Sequence, residues 1–445
     1  MSAREQWGSR HGFLLATIGA AVGLGNIWRF SYVAGENGGA VFLFIYLACI
    51  LLIGLPLVIA ELSLGRRAQG DAVAAFELAD NGGPWRHLGW VGVIGSVIIL
   101  SYYAVIAGWA LKYFTGAATG TLWTAAATGY GAYFKTFIAD RGEPIGWQAA
   151  MLAAAMFTVA GGVRSGIERV NRALMPMLVA IIIALAAYAI SLPNSGAGLS
   201  FLFAPDWSVL AKPTVYIAAL GQAFFSLGIG MAVFVTYGSY MPRTFSLPTS
   251  AAAIAFGDSL FAIIAGIAIF PAVFSFGVDP TAGPELAFIT LPQVFLSMPG
   301  GKMFGFVFFL LLSAAAFTSM VALLEVPVSV IAHRLKLRRW SASAIVGAVV
   351  FAAGVPSAMS FGVLSHIQIG RHGILDGIDA GVSNLLLPIC GVLVALFVGW
   401  RLKQAVSLHE ADLAGSRLGL VWLWLLRIIV PVAILAILLQ SASTL

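Results

Sequence analysis

Charge is scarce in this chain: 9% of its 445 residues are Asp, Glu, Lys or Arg, against 60% hydrophobic. Soluble domains carry about 25% charged residues, so a soluble domain of any size is excluded. Cysteine is nearly absent. Cys49 and Cys390 both fall inside apolar runs, which excludes a disulfide framework and a cysteine-based zinc site. The histidines sit near span ends or loops without metal-ligand spacing, and no His/Cys/Asp nucleophile set occurs, so an enzyme is not expected. No small-residue cleavage site follows Arg4 and Arg10, and a cleavable signal peptide is not expected either.

Long apolar runs take the place of charge. A membrane-crossing helix needs about 20 such residues. Eleven candidates fall near 11–34, 40–65, 87–117, 147–163, 171–192, 213–241, 247–276, 302–334, 341–358, 376–400 and 417–441, the fourth being short. The composition predicts an all-α polytopic membrane protein, in one transport domain over 1–445. Its net charge of +6 is distributed by side and points to no nucleic acid. With the amino terminus inside, sixteen Lys and Arg residues lie at cytoplasmic ends, Arg66, Arg67, Arg164, Arg338 and Arg401 among them. Five lie opposite: Lys135, Arg141, Lys212, Lys302 and Arg371. That bias sets a cytoplasmic amino terminus, and eleven spans put the carboxyl terminus outside a cell (inner) membrane.

The first span cannot remain helical throughout. IGAAVGLGNIWRF, from Ile18 to Phe30, holds Gly19, Gly23 and Gly25 within seven residues, followed by Asn26 and Arg29. Glycine disfavours helix by about 1 kcal/mol relative to alanine. Irregular backbone at membrane depth persists only where protein buries it or it lines a cavity. A second such segment, GQAFFSLGIGMAVFVTYGSY (Gly221–Tyr240), opens the sixth span as the first opens the first. Interrupted segments at corresponding places in two halves are the sequence mark of an inverted-repeat transporter. The expected repeats are 1–192 (helices 1–5) and 213–400 (helices 6–10), with an extra helix at 417–441.

Polar residues gather at one depth. At 1.5 Å per residue, Asp258 lies roughly 16 Å into the seventh span. Ser226, Tyr103 and the Thr318–Ser319 pair fall midway along theirs. An intramembrane carboxylate is a functional candidate by default. Hydroxyl pairs often bond back to the carbonyl four residues earlier, but hydroxyls and freed carbonyls also suit a hard monovalent cation. A broken helix offers carbonyls at one half's C-terminus and N–H groups at the next half's N-terminus. One break can therefore hold a cation and a carboxylate side by side.

GAAVGLGNIWRF…ENGGAVF, SYYAVIAGW, GQAFFSLGIGM…TYGSY and AFTSMVALLEV, in this order, resemble the neurotransmitter:sodium symporter family. The likeness runs from about Arg4 to Trp400 and is closest to bacterial amino-acid transporters with the LeuT fold. It implies two sodium sites. The first takes the Ala21 carbonyl, Asn26, Ser226, Asp258 and the substrate carboxylate. The second takes the carbonyls of Gly19, Val22 and Ala315 with the hydroxyls of Thr318 and Ser319. It also implies substrate contacts from Ala20, Ala21, Gly23, Leu24, Gly25, Ile99, Tyr103, Phe225, Ser226, Gly228, Met231, Ser319 and Leu323, with Tyr103 and Phe225 as an aromatic lid. Arg29 with Asp379 resembles the external gate. Arg4 and Trp7 match the inner gate, but the usual partner aspartate falls near Arg334. Glu325, nine residues earlier and beside Ser239 and Tyr240, is expected either to help close the inner side or to make a structural hydrogen bond to the sixth helix.

Departures from the family refine the cargo. Amine transporters place an aspartate where this chain has Gly23, so here the substrate brings the carboxylate: an amino acid. Apolar Ile99, Met231 and Leu323 favour a medium to large hydrophobic or aromatic L-amino acid, with Met231 as an adaptable wall. Ala262 replaces the serine of chloride-dependent relatives, and Asp258 replaces their asparagine, which predicts chloride independence. Sodium is the expected ion, the bilayer the surroundings, and no organic cofactor is expected. A proton-coupled carrier and a non-transporting sensor of the same fold stay open as alternatives, and the oligomeric state is not specified by the sequence.

Overall fold

The computed structural model describes residues 5–80, 82–277 and 286–444, helical almost throughout. The strands among the described residues form one small hairpin, Gln368–Ile369 against His372–Gly373. α1 is a bent pair, Arg10–Ala21 and Gly25–Glu36, and α2 is Ala40–Ala68. α3 is Pro84–Thr119, α4 Glu143–Ala160 and α5 Val163–Ile190. α6 is a second pair, Pro213–Leu227 and Val233–Ser239, and α7 is Leu247–Ser275. α8 (Gly301–Arg334), α9 (Arg339–Ala358), α10 (Ile374–Arg401) and α11 (Arg417–Ala436) complete the set.

Among the described residues, eight helices are long and apolar enough to cross a membrane, nine if α1 is one span. The remaining two are α4 and α6. Glu143, Pro144 and Gln148 dilute the apolarity of α4, and a central break shortens both halves of α6. Length and hydropathy alone do not single out these two as spans.

Helices in lipid gain nothing from hiding apolar faces on one another, so close contact and interhelical hydrogen bonds hold the bundle. Two groups result. α3, α4, α8 and α9 pack mutually, while α2 packs on α6 and α7, and α1 touches α5, α7 and α8. Ser343 Oγ donates to Met156 O at 3.0 Å and joins α9 to α4. Trp422 Nε1 donates to Pro56 O at 3.0 Å and joins α11 to α2. The two broken helices lie where these groups meet.

Candidate functional site

The break in α1 follows from residues 22–26. Its first half ends at Ala21 and the second half resumes at Gly25, bent by 51°. The Gly23 N–H, which would close a helical bond to Gly19, donates instead to Asn26 Oδ1 at 3.0 Å. Leu24 N–H donates to the Tyr103 hydroxyl at 3.2 Å. Position 23 also has no room for a side chain: a Cβ there would overlap Ser319 Oγ and lie 2.8 Å from the Tyr103 hydroxyl.

The break in α6 is built from left-handed residues: Gly228 at φ +70°, Gly230 at +85° and Ala232 at +57°. Glycine takes this conformation at no steric cost, whereas Ala232 is held there by its surroundings. Glu61 of α2, fully buried, accepts the Gly230 N–H at 2.8 Å, and Ser96 donates to the Met231 carbonyl. Glu61 thus braces the unwound segment.

Between the breaks lies a buried oxygen cluster. Ser226 Oγ donates to the Asp258 carboxylate, 2.9 Å from either oxygen. Asn26 Nδ2 reaches Asp258 Oδ1 at 2.7 Å and Ser226 Oγ at 3.0 Å. Tyr46 of α2 donates to Asp258 Oδ2 at 3.1 Å. Three helices and the α1 break thus converge on one carboxylate with no lysine, arginine or histidine bonded to it among the described residues. On the other side of α1, Thr318 Oγ1 donates to Ala315 O at 2.9 Å and Ser319 Oγ lies 3.4 Å from Val22 O. The C-terminal end of the first α1 half, the negative end of its dipole, points into this second group.

A small cavity of about 30 Å³ adjoins both clusters. Eleven of the anticipated residues line it: Ala20, Ala21, Gly23, Gly25, Ile99, Tyr103, Phe225, Gly228, Met231, Ser319 and Leu323. Leu227, Val233 and Ala322 also line it and were not anticipated. Ser226 sits in the carboxylate cluster instead, and Leu24 lines a larger cavity of about 540 Å³ above Tyr103 and Phe225. Space of about 30 Å³ holds one water, so anything larger must displace a wall side chain.

The gates differ from expectation. Arg29 and Asp379 both line the larger cavity, but among the described residues they form no ion pair within 4 Å. The Arg29 guanidinium lies instead 4.5 Å from the Phe225 ring centre and 3.4 Å from the Gly221 carbonyl. Asp379 takes the Ser383 hydroxyl at 3.4 Å. At the amino-terminal face, Arg4 lies outside the described residues. Trp7 is buried, its indole N–H on the Tyr237 carbonyl at 3.0 Å and its ring edge-on to Tyr237 and Tyr240. Arg334 pairs with Glu77 at 2.7 Å, while Glu325 pairs with Arg339 at 2.5 Å. No spacing signal foretold Arg339, which opens a different helix.

Two half-helices meeting at a buried oxygen cluster, beside a pocket inside a helical membrane bundle, define a secondary transporter of the inverted-repeat kind. The chain belongs to the sodium:neurotransmitter symporter family, whose sequence model matches residues 4–134 and 133–445. It is 38% identical to YhdH of Bacillus subtilis, an uncharacterized sodium-dependent transporter, over 98% of this chain and 97% of the relative. It is 30% identical to a sodium-dependent transporter of Haemophilus influenzae, over 98% of each. The crystal structure of MhsT in complex with L-phenylalanine matches with a TM-score of 0.93 and 49% identity, covering 98% of this chain and 100% of that one. The protein is thus a multi-pass, sodium-dependent membrane transporter with the LeuT fold, and not an enzyme.

Proposed function

We propose that the protein imports hydrophobic or aromatic L-amino acids by sodium symport, with alternating access about the two broken helices. The carrying observation is the Asn26–Ser226–Asp258 cluster near a small apolar pocket: oxygen ligands for a cation next to apolar walls, Met231 among them, that a substrate side chain pushes aside. One sodium ion takes Ala21, Asn26, Ser226 and Asp258, with the substrate carboxylate as a further ligand. Another takes Gly19, Val22, Ala315, Thr318 and Ser319. The substrate ammonium faces the negative end of the first α1 half. Its side chain lies against Ile99, Met231, Leu323 and Phe225, and L-phenylalanine bound to the 49% identical MhsT supports this reading.

The amino-terminal face is the cytoplasmic one, as the basic residues at that end of the bundle favour. The larger cavity is then the external vestibule, which Arg29 and Asp379 close when they approach. The fixed Asp258 carboxylate balances sodium without chloride. Uptake of labelled phenylalanine into proteoliposomes, with sodium, potassium and proton gradients imposed separately, tests the proposal. Accumulation driven by sodium alone and unaffected by chloride removal is the expected result. Accumulation driven by protons without sodium replaces it with a proton-coupled carrier, and binding without accumulation replaces it with a sensor.

A further inference from the structure

Asn171 of α5 is fully buried against α1, and its two amide ends are in unlike situations. Nδ2 donates to the Ile167 carbonyl at 3.0 Å, which fixes the amide plane. Oδ1 has no hydrogen-bond partner among the described residues. It faces Gly19, so closely that a Cβ on that glycine would overlap it. Gly19 is also the residue whose carbonyl loses its helical partner, because the Gly23 N–H turns to Asn26. A side-chain oxygen and a released main-chain oxygen thus adjoin at one residue, and buried oxygens left without donors are costly. The adjoining groups are acceptors, and the next side chain, Met175, offers sulfur, so the chemistry suits a cation.

One turn nearer the amino-terminal face on α5 is Glu168, also buried. Its carboxylate is saturated: the Gly8 N–H lies at 2.6 Å, the Ser9 hydroxyl at 3.1 Å and Arg172 at 2.5 Å. Two of these three donors belong to the segment that leads into α1. When that segment leaves, two acceptor positions open about 4.5 Å along the helix from Asn171.

We infer that Asn171 is a transit ligand for sodium, taking the ion from the Val22–Thr318 site toward the amino-terminal face, with Glu168 next once the leading segment withdraws. The inference rests on the sodium site proposed at Thr318 and adds an exit step to it. The test uses the full-length protein in proteoliposomes, with labelled phenylalanine as probe and sodium added on the cytoplasmic face to oppose uptake. Asn171→Leu raises the half-inhibitory sodium concentration on that face, and Asn171→Asp lowers it, each roughly fivefold or more. Sodium dependence of phenylalanine binding at equilibrium stays within about twofold in the leucine variant, because the resting site keeps its ligands.

Shifts of both variants in the same direction, or no shift, overturn the inference, because a structural asparagine or one that holds only water carries no sign. If the leucine variant fails to fold, the aspartate variant alone decides by the direction of its shift. Thr318→Ala separates the two levels: sodium dependence of phenylalanine binding left unchanged by it overturns the sodium site itself, whatever Asn171 does.

Discussion

The Tyr240 hydroxyl, at the end of α6, donates to Glu325 Oε1 in α8 at 2.5 Å, across the boundary between the two helix groups. The other Glu325 oxygen is held by Arg339 of α9, within the same helix group as α8, at 2.5 Å. The charge of Glu325 is therefore neutralised on its own side, and the link to α6 is a neutral hydroxyl on a paired carboxylate. Trp7 packs edge-on to Tyr240 from the leading segment, and its backbone N–H donates to the Tyr240 carbonyl at 3.2 Å. Closure of this face thus depends on a bond that breaks without separating an ion pair.

Tyr240→Phe is expected to favour the conformation open at the amino-terminal face. Hydrogen bonds to charged groups contribute about 1.5–3 kcal/mol, which corresponds to a roughly ten- to hundredfold change in the equilibrium. Reactivity of a cysteine introduced on that pathway, compared in the two backgrounds, measures it. Glu325→Gln is more severe, since it leaves the half-buried Arg339 beside a neutral amide. Unaltered cysteine reactivity in both variants means Glu325 has no part in closure.

Asp258→Asn removes the only carboxylate in the oxygen cluster and leaves the Ser226 and Tyr46 hydroxyls in place. Sodium-driven uptake is expected to be lost, or to return only with chloride, which would then supply the missing negative charge. Uptake measured in chloride and in gluconate separates the two. Unchanged, chloride-indifferent uptake rules out the charge-balance role.

Gly23→Ala places a methyl group against Ser319 Oγ and the Tyr103 hydroxyl. Both groups also belong to the site, so the substitution is expected to abolish substrate binding while the helices still assemble. Equilibrium binding of labelled phenylalanine and the thermal stability of the purified variant report these separately. Wild-type binding shows that position 23 tolerates a side chain, and the steric argument for its glycine then fails.

The breaks themselves were legible in the sequence because glycine, asparagine and serine stand out in apolar runs. Eleven residues that the family resemblance implied for one pocket do surround one cavity. What sequence did not reveal are partners set by helix rotation. Tyr46 on Asp258 and the Asn171 oxygen beside Gly19 join helices far apart in the chain, and Arg339 on Glu325 joins two consecutive ones. Arg29 and Asp379 show the reverse: two matching motif residues that a tertiary arrangement leaves apart. Arg66, counted among the basic residues at cytoplasmic ends, is 2% exposed and paired with Asp412, a partner that the count did not reveal.

Met231 is the one long, flexible side chain among the apolar residues of the small cavity. Shortening it removes three heavy atoms from the wall, and discrimination in such pockets runs at about 1–3 kcal/mol per methylene. Met231→Ala is expected to raise the ratio of tryptophan to leucine uptake by roughly tenfold. Competition of each unlabelled amino acid against labelled phenylalanine measures the ratio. An unchanged ratio places the substrate side chain against another wall.

Arg66 and Asp412 are joined by two parallel hydrogen bonds, at 2.8 and 2.7 Å, and Leu247 N–H reaches the same carboxylate at 3.0 Å. Burial pushes the Asp412 carboxyl up, but Arg66 and the Leu247 N–H outweigh it and hold it below the usual carboxylate range. A group lowered in the folded state stabilises fully above its unfolded pKa, about 3.9 for aspartate, and that stability is lost as pH falls through the folded value. Asp412 should therefore contribute a constant, full stabilisation between about pH 5 and 8, and the melting temperature should fall below about pH 4 as that contribution is lost. Asp412→Ala leaves Arg66 buried and unpaired at all pH values. The cost is expected toward the lower end of roughly 3–5 kcal/mol, because the Asp412 side chain is 38% exposed. Melting curves of both proteins at pH 7 and pH 4 test this: the difference between them should narrow at the lower pH, and a constant difference assigns the loss to packing instead of charge.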